Sequence, residues 1–213
     1  MSEASAATIS AAMREALALA ERAIGVSEPN PRVGCVVVRD RTVVGRGHTQ
    51  HAGGAHAEVM ALADAAARGG DVRGATVHVT LEPCAHHGRT PPCTDALVAA
   101  GVGRVVIAMR DPNPLVSGRG AARLAAAGIA VEWCDAASAQ AHALNVGFVS
   151  RMERGRPWLR MKVAVSLDGR SALADGTSQW ITATAARIDG HAWRKRAGAV
   201  LTGVGTVRDD DPR

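Results

Sequence analysis

From Thr76 onward the sequence alternates short β-branched runs with Ala- and Leu-rich helical stretches. Strands are expected over residues 76–81, 104–108 and 129–133, with helices near 94–100 and over 121–127 between them. Parallel neighbours need a crossover, usually a helix, so this rhythm predicts βαβ units whose helices cover a sheet. Upstream, apolar residues at helical spacing predict a helix over 9–24 that stops at Gly25, followed by the turn Glu28-Pro29-Asn30-Pro31. Runs at 33–38 and 42–47 around Arg39-Asp40-Arg41 predict a hairpin, and an Ala-rich helix over 56–68 ends at Gly69-Gly70. A further helix is expected over 136–148. The polar, basic stretch before Pro157 then reads as a linker over 149–157, which separates a first domain, 1–148, from a second part, 158–213. In that second part strands are expected over 158–166 and 199–202, with a helix over 183–196 between them. These are expected to form the start of a second α/β unit that does not complete a core by residue 213.

With one Phe, four Trp and no Tyr in 213 residues, the core has to be built from Ala, Val, Leu and Ile. The same scarcity leaves little stacking surface for nucleic acid, although a net charge of +5 favours anionic ligands such as phosphate esters. No window reaches the roughly 18 apolar residues needed to span a bilayer, and no basic region followed by an apolar run opens the chain, so the expectation is a cytoplasmic protein with no membrane partner.

Four cysteines in a chain of this kind point to metal ligands or buried thiols rather than a disulfide framework. Cys35 lies in the apolar run 33–38 and reads as core, as does Cys134. Cys84 and Cys93 are different. Pro83-Cys84 follows a strand, Pro91-Pro92-Cys93 opens a helix, and His56-Ala57-Glu58 opens another. One imidazole and two thiolates supply three ligands to Zn2+ and leave a fourth position for a water whose pKa the metal lowers. Glu58, beside the metal but not bound to it, is then the proton carrier. His-x-Glu with a following Pro-Cys is the signature of zinc nucleobase deaminases. Two alternatives stay open on the residues alone: a nucleic-acid base deaminase, and a non-enzymatic zinc-stabilised remnant in which His86 or His87 completes a structural site.

The chain resembles the bifunctional riboflavin-biosynthesis deaminase-reductases. The long loop from Pro83-Cys84 to Pro92-Cys93 is similar to theirs, as are Asn30-Pro31 with Val33-Gly34-Cys35, Thr80-Leu81-Glu82, Asp111-Pro112-Asn113-Pro114 and Gly118-Arg119-Gly120. Beyond the linker, Lys162, Ser166-Leu167-Asp168-Gly169-Arg170 and Ser178-Gln179-Trp180-Ile181-Thr182 resemble the start of their reductase domain. The resemblance implies a cytidine-deaminase-like α/β/α domain with a mixed sheet, followed by the start of a dihydrofolate-reductase-like α/β domain. It implies deamination of 2,5-diamino-6-(5-phosphoribosylamino)pyrimidin-4(3H)-one, then NADPH-dependent reduction of 5-amino-6-(5-phosphoribosylamino)uracil, in a homo-oligomer. By the same resemblance Asn30, His86 and Arg89 contact the deaminase substrate, Ser178 and Arg194 the reductase substrate, and Ala164, Trp180, Thr206 and Asp210 the cofactor. The sequence departs from the family at Thr49 and Gly54, where His and Glu are usual, and their contacts are expected to weaken or to pass to His48 or His51.

Overall fold

The computed structural model describes residues 9–114 and 116–211, with Asp209 and Asp210 described by their backbone alone. It divides into two compact units, Met1–Trp158 and Leu159–Arg213.

In the first unit, helix α1 (Ala11–Glu21) starts at Ser10, whose hydroxyl accepts the Met13 N–H at 3.1 Å, as an N-cap serine does. Strands β1 (Gly34–Arg39) and β2 (Thr42–His48) make the hairpin. Its two turn residues, Asp40 and Arg41, have φ of 48° and 65°, the left-handed pair that a tight two-residue hairpin turn requires. Then come α2 (Ala57–Ala67), β3 (Thr76–Val79), α3 (Cys93–Ala99), β4 (Arg104–Ile107), α4 (Arg119–Ala126) and β5 (Ala130–Trp133). The strands form one sheet in the order β2-β1-β3-β4-β5. β1 is antiparallel to β2 and β3, and β3, β4 and β5 run parallel.

Small residues bring the helices close to this sheet. A Cβ on Gly34 would lie 1.9 Å from the Ala16 carbonyl oxygen of α1, and one on Gly47 would lie 2.2 Å from the Ala57 carbonyl oxygen of α2. Gly47 pairs with Cys35, the neighbour of Gly34, so α1 and α2 lie on opposite faces and the unit has three layers, α/β/α. The core between them holds Val36, Val37, Val77, Val79, Val105, Ile107, Leu97 and Leu124, each worth about 1.5–3 kcal/mol when fully buried. Aliphatic packing at this close range replaces the absent aromatic bulk.

The helix expected over 136–148 is two helices, α5 (Asp135–Leu144) and α6 (Val146–Arg154), and α6 runs through most of the expected linker at 149–157. Asn145 makes the break. It is buried, its side-chain oxygen accepts the Arg32 N–H at 2.7 Å, and its amide donates to the carbonyls of Arg32 and Ala141 at 3.0 and 3.1 Å. α6 then packs Val149 inward, and Arg151 donates to the Pro29 carbonyl at 3.0 Å, so these basic residues belong to a folded helix.

In the second unit the described residues contain two helices, α7 (Thr184–Lys195) and α8 (Val204–Asp210), and no strand. The strands expected over 158–166 and 199–202 are irregular instead. Leu159, Met161, Val163 and Leu201 are exposed, and an alternating segment becomes a strand only where a neighbour satisfies its backbone. Trp193 on α7 carries Arg160 over its ring at 3.9 Å.

Candidate active site

His56 occupies the N-cap of α2 but makes no capping bond through its side chain, which leaves the imidazole free to face the cysteines. Its Nδ1 lies 3.1 Å from Cys93 Sγ and 3.7 Å from Cys84 Sγ. Cys93 is the first residue of α3 and donates its backbone N–H to Cys84 Sγ at 3.3 Å. Cys84, at the end of the segment that continues β3, is held there by its carbonyl, which accepts the Thr94 N–H and the Thr94 hydroxyl, both at 3.2 Å. Thr90 places its hydroxyl 3.4 Å from His56 Nε2.

The imidazole nitrogen and two sulfurs all lie within 4.8 Å of one another. A tetrahedral zinc with bonds of about 2.0–2.3 Å holds neighbouring ligand atoms roughly 3.5–3.8 Å apart, so the donor set fits that ion in both chemistry and spacing. Among the described residues no fourth His, Cys, Asp or Glu joins the group, and His86 and His87 are exposed. That is the arrangement of an open site, not a closed structural one.

The electrostatics agree. Cys84 is pulled down to about 4 by the Cys93 thiol that donates to it, aided by His56 and the Cys93 N–H, while Cys93 is driven up by that same bond and by burial. The bond to Cys84 raises His56. The two sulfurs are thus close enough for one to draw on the other's proton, as two ligands of a single cation would be placed. Glu58, only 4% exposed, is raised to about 7 by burial and then by the Cys84 charge, against the opposing pull of a backbone N–H, His56 and a bond from Cys93. A carboxyl that titrates near neutrality beside a metal site can both take and return a proton.

Two family models match the chain. One, described as the cytidine and deoxycytidylate deaminase zinc-binding region, matches residues 6–109, and the RibD C-terminal domain matches residues 157–213. The riboflavin biosynthesis protein RibD of Escherichia coli K12 is 53% identical over 94% of this chain and 53% of its own length. Among solved structures, Acinetobacter baumannii RibD superposes with a TM-score of 0.85 at 51% identity, over 94% of this chain and 55% of that one. The chain belongs to the RibD family. It spans about half the length of the curated relatives it matches. A Thermotoga maritima structure described as a diaminohydroxyphosphoribosylaminopyrimidine deaminase and 5-amino-6-(5-phosphoribosylamino)uracil reductase matches with a TM-score of 0.87 at 43% identity, over 94% of this chain and 57% of that one. The mixed five-stranded sheet is thus the cytidine-deaminase-like fold of RibD.

The other residues singled out by RibD resemblance are distributed unevenly. His86 and Arg89 are exposed on the loop between the cysteines, and Asn30 is half-buried in the turn before β1, where its backbone bonds Ser27. Thr49 is buried and accepts the Val33 N–H at 3.2 Å, a structural task, while Gly54 closes a turn onto the His51 carbonyl at 2.8 Å. In the second unit Ser178, Trp180, Arg194 and Thr206 are exposed and Ala164 is half-buried. Arg187 lies over the Trp180 ring at 4.5 Å. No hydrogen bond or ion pair joins any two of these five, and the side chain of Asp210 lies outside the described residues. The sequence pattern alone gives Glu82 no role. It is buried, and its carboxylate accepts the N–H groups of Asp111, Gly118 and Ala121 at 3.2, 3.0 and 3.1 Å, tying the loop after β4 to the segment that carries Cys84. A glutamate next to Pro-Cys is the only local signal for it.

Proposed function

We propose that the first unit is a zinc-dependent hydrolytic deaminase acting on 2,5-diamino-6-(5-phosphoribosylamino)pyrimidin-4(3H)-one in riboflavin biosynthesis. The convergence of one imidazole, two cysteine sulfurs and a buried carboxylate that titrates near neutrality carries this proposal. His56, Cys84 and Cys93 hold the metal, and when bound it supplies the Lewis acidity that makes water a nucleophile near neutral pH. Glu58 takes one proton from the attacking water and delivers it to the ring nitrogen, then carries the remaining hydroxyl proton to the amino group, which leaves as ammonia as the carbonyl forms. Thr94 and the Cys93 N–H keep Cys84 in place, and Thr90 orients His56. Asn30, His86 and Arg89 contact the substrate, with Arg89 and His86 suited to its polar and anionic groups. A structural-only role does not account for Glu58 beside a site with three protein ligands, and one Phe, four Trp and no Tyr offer little stacking surface for a nucleic-acid base.

Glu58→Gln tests the proposal, with ammonia release expected to fall at least ~100-fold while bound zinc stays unchanged. A variant that keeps the wild-type rate would remove the mechanism.

We assign the deaminase to residues 1–148 and a part of the reductase to residues 158–213. The match of the second unit to the RibD C-terminal domain supports NADPH-dependent reduction of 5-amino-6-(5-phosphoribosylamino)uracil, with Ala164, Trp180, Thr206 and Asp210 toward the cofactor and Ser178 and Arg194 toward the substrate. NADPH oxidation on addition of the deaminated product checks that assignment for this chain, and light scattering checks the expected homo-oligomer.

A further inference from the structure

Gly118-Arg119-Gly120 opens α4, and both glycines are dictated by the fold. A Cβ on Gly120 would lie 1.9 Å from the Pro83 carbonyl oxygen, and Gly118 has φ of 78° beside the Arg110 guanidinium. Glu82 bonds the N–H groups of Gly118 and Ala121, on either side of this turn. The backbone of Arg119 is therefore pinned to the segment that ends in Cys84. Its side chain has no such structural duty: the guanidinium makes no hydrogen bond or ion pair among the described residues.

Arg119 lines a cavity of about 260 Å3 together with Ala85, His86, Val116 and Arg123. No carboxylate is among these residues. Arg123 is compensated by Asp95, 2.5 Å away, so Arg119 is the uncompensated cation of the cavity. His86 stands two residues beyond Cys84, which sets the cavity beside the metal-ligand group and at the C-terminal ends of the parallel strands β3 and β4. A larger cavity of about 450 Å3 opens between Arg39, Thr76, His78, Arg104 and Glu132, on the α1 face of the sheet. There Arg39 and Arg104 are already paired with Asp71 and Glu132.

We propose that Arg119, with His86, binds the phosphate monoester of the deaminase substrate in this smaller cavity. A guanidinium presents paired donors that match phosphate oxygens, and a backbone pinned on both sides fixes where the side chain starts, which leaves only its own rotamers to be ordered on binding. The inference rests on the deaminase proposal above, and it gives Arg119, not the loop residue Arg89, the main hold on the phosphate.

The test is the ratio of kcat/KM for the phosphorylated substrate to that for its dephosphorylated ribosylamino counterpart. In Arg119→Ala that ratio should fall roughly 10- to 100-fold, chiefly through KM, and in Arg119→Lys by less, since the charge survives without the fork. Zinc content and the far-UV spectrum of each variant report that the fold is intact. An unchanged ratio in Arg119→Ala, or a collapse in Arg89→Ala alone, overturns the inference. Should the wild type release no ammonia from either compound, the deaminase proposal itself has failed, and calorimetry with ribose 5-phosphate decides the cavity separately. Binding weakened at least tenfold by Arg119→Ala supports the phosphate site, and equal or undetectable binding in both proteins removes it.

Discussion

Strand β3 and the segment that begins the second unit carry the same pattern. In β3, Val77 and Val79 alternate with Thr76 and His78, and both valines are fully buried. Beyond Trp158, Leu159, Met161, Val163 and Val165 alternate with Arg160, Lys162 and Ala164, yet Leu159 is 82% and Met161 88% exposed. β3 lies between β1 and β4, which satisfy its backbone on both edges, and α1 packs against one of its faces while Val77 and Val79 are buried on the other. The later segment has no paired strand among the described residues. Alternation fixes which side chains would share a face, and only a neighbour turns that into a strand and a burial free energy.

The sharpest way to break that contrast is to truncate one side chain in each region. Ile107→Ala, in β4 opposite Val79, should lower unfolding stability by about 2–5 kcal/mol, because it leaves a cavity in a packed core. Met161→Ala should change it by no more than about 0.5 kcal/mol. Urea unfolding followed by circular dichroism measures both, and comparable losses would mean that the second unit is packed in solution.

Glycines give a smaller contrast, of opposite sign. Gly120→Ala forces a Cβ against the Pro83 carbonyl, so we expect a loss of about 1–3 kcal/mol and weaker zinc retention, because Cys84 is the next residue along. Gly205→Ala in α8 meets nothing within 4 Å and should gain helix content, by up to about 1 kcal/mol. Thermal melts paired with a zinc titration distinguish the two, and a stabilising Gly120→Ala would show that the α4 turn is not pinned.

The same contrast explains what can be read from the sequence. Elements whose signals are local, such as the hairpin at Asp40-Arg41, the small-residue helix α2 and the strand-helix alternation through β5, lie close to where periodicity and turn chemistry put them. His56, Cys84 and Cys93 stand out because each sits where an element begins or has just ended, at a position with unpaired backbone groups to orient it. The features that escaped are carried by side chains bonded to distant backbone. Asn145 divides α5 from α6 through bonds to Arg32, 113 residues away. Glu82 binds N–H groups 29 to 39 residues further on, and nothing in the local pattern reveals them. The expected strands of the second unit fail for the same reason in reverse: the local pattern is present, and among the described residues no strand pairs with it.

The subtlest form of the contrast lies in two aspartates that make one local bond. Asp111 and Asp175 each accept the N–H of the residue two positions on, at 2.8 and 2.9 Å, yet their carboxyls shift in opposite directions. In the exposed Asp175 the Thr177 N–H leads and lowers it, whereas in Asp111 burial leads, reinforced by Glu82 and the Cys84 charge, and raises it to about 6. Below the unfolded value of about 4, Asp111 is protonated in both states and costs nothing. Between about 4 and 6 the folded protein holds a proton that the unfolded chain has released, so stability falls as pH rises, and above 6 the cost is constant. Asp111→Asn keeps the acceptor for Asn113 and removes the charge. Relative to wild type it should therefore be stabilising by on the order of 1 kcal/mol at pH 8, and by clearly less at pH 5, once solvent screening is allowed for. Asp175→Asn should leave the melting temperature unchanged at both pH values. Melts at pH 5 and 8 compare the two variants, and an equal gain for Asp111→Asn at both would mean that its benefit comes from packing and not from the buried charge.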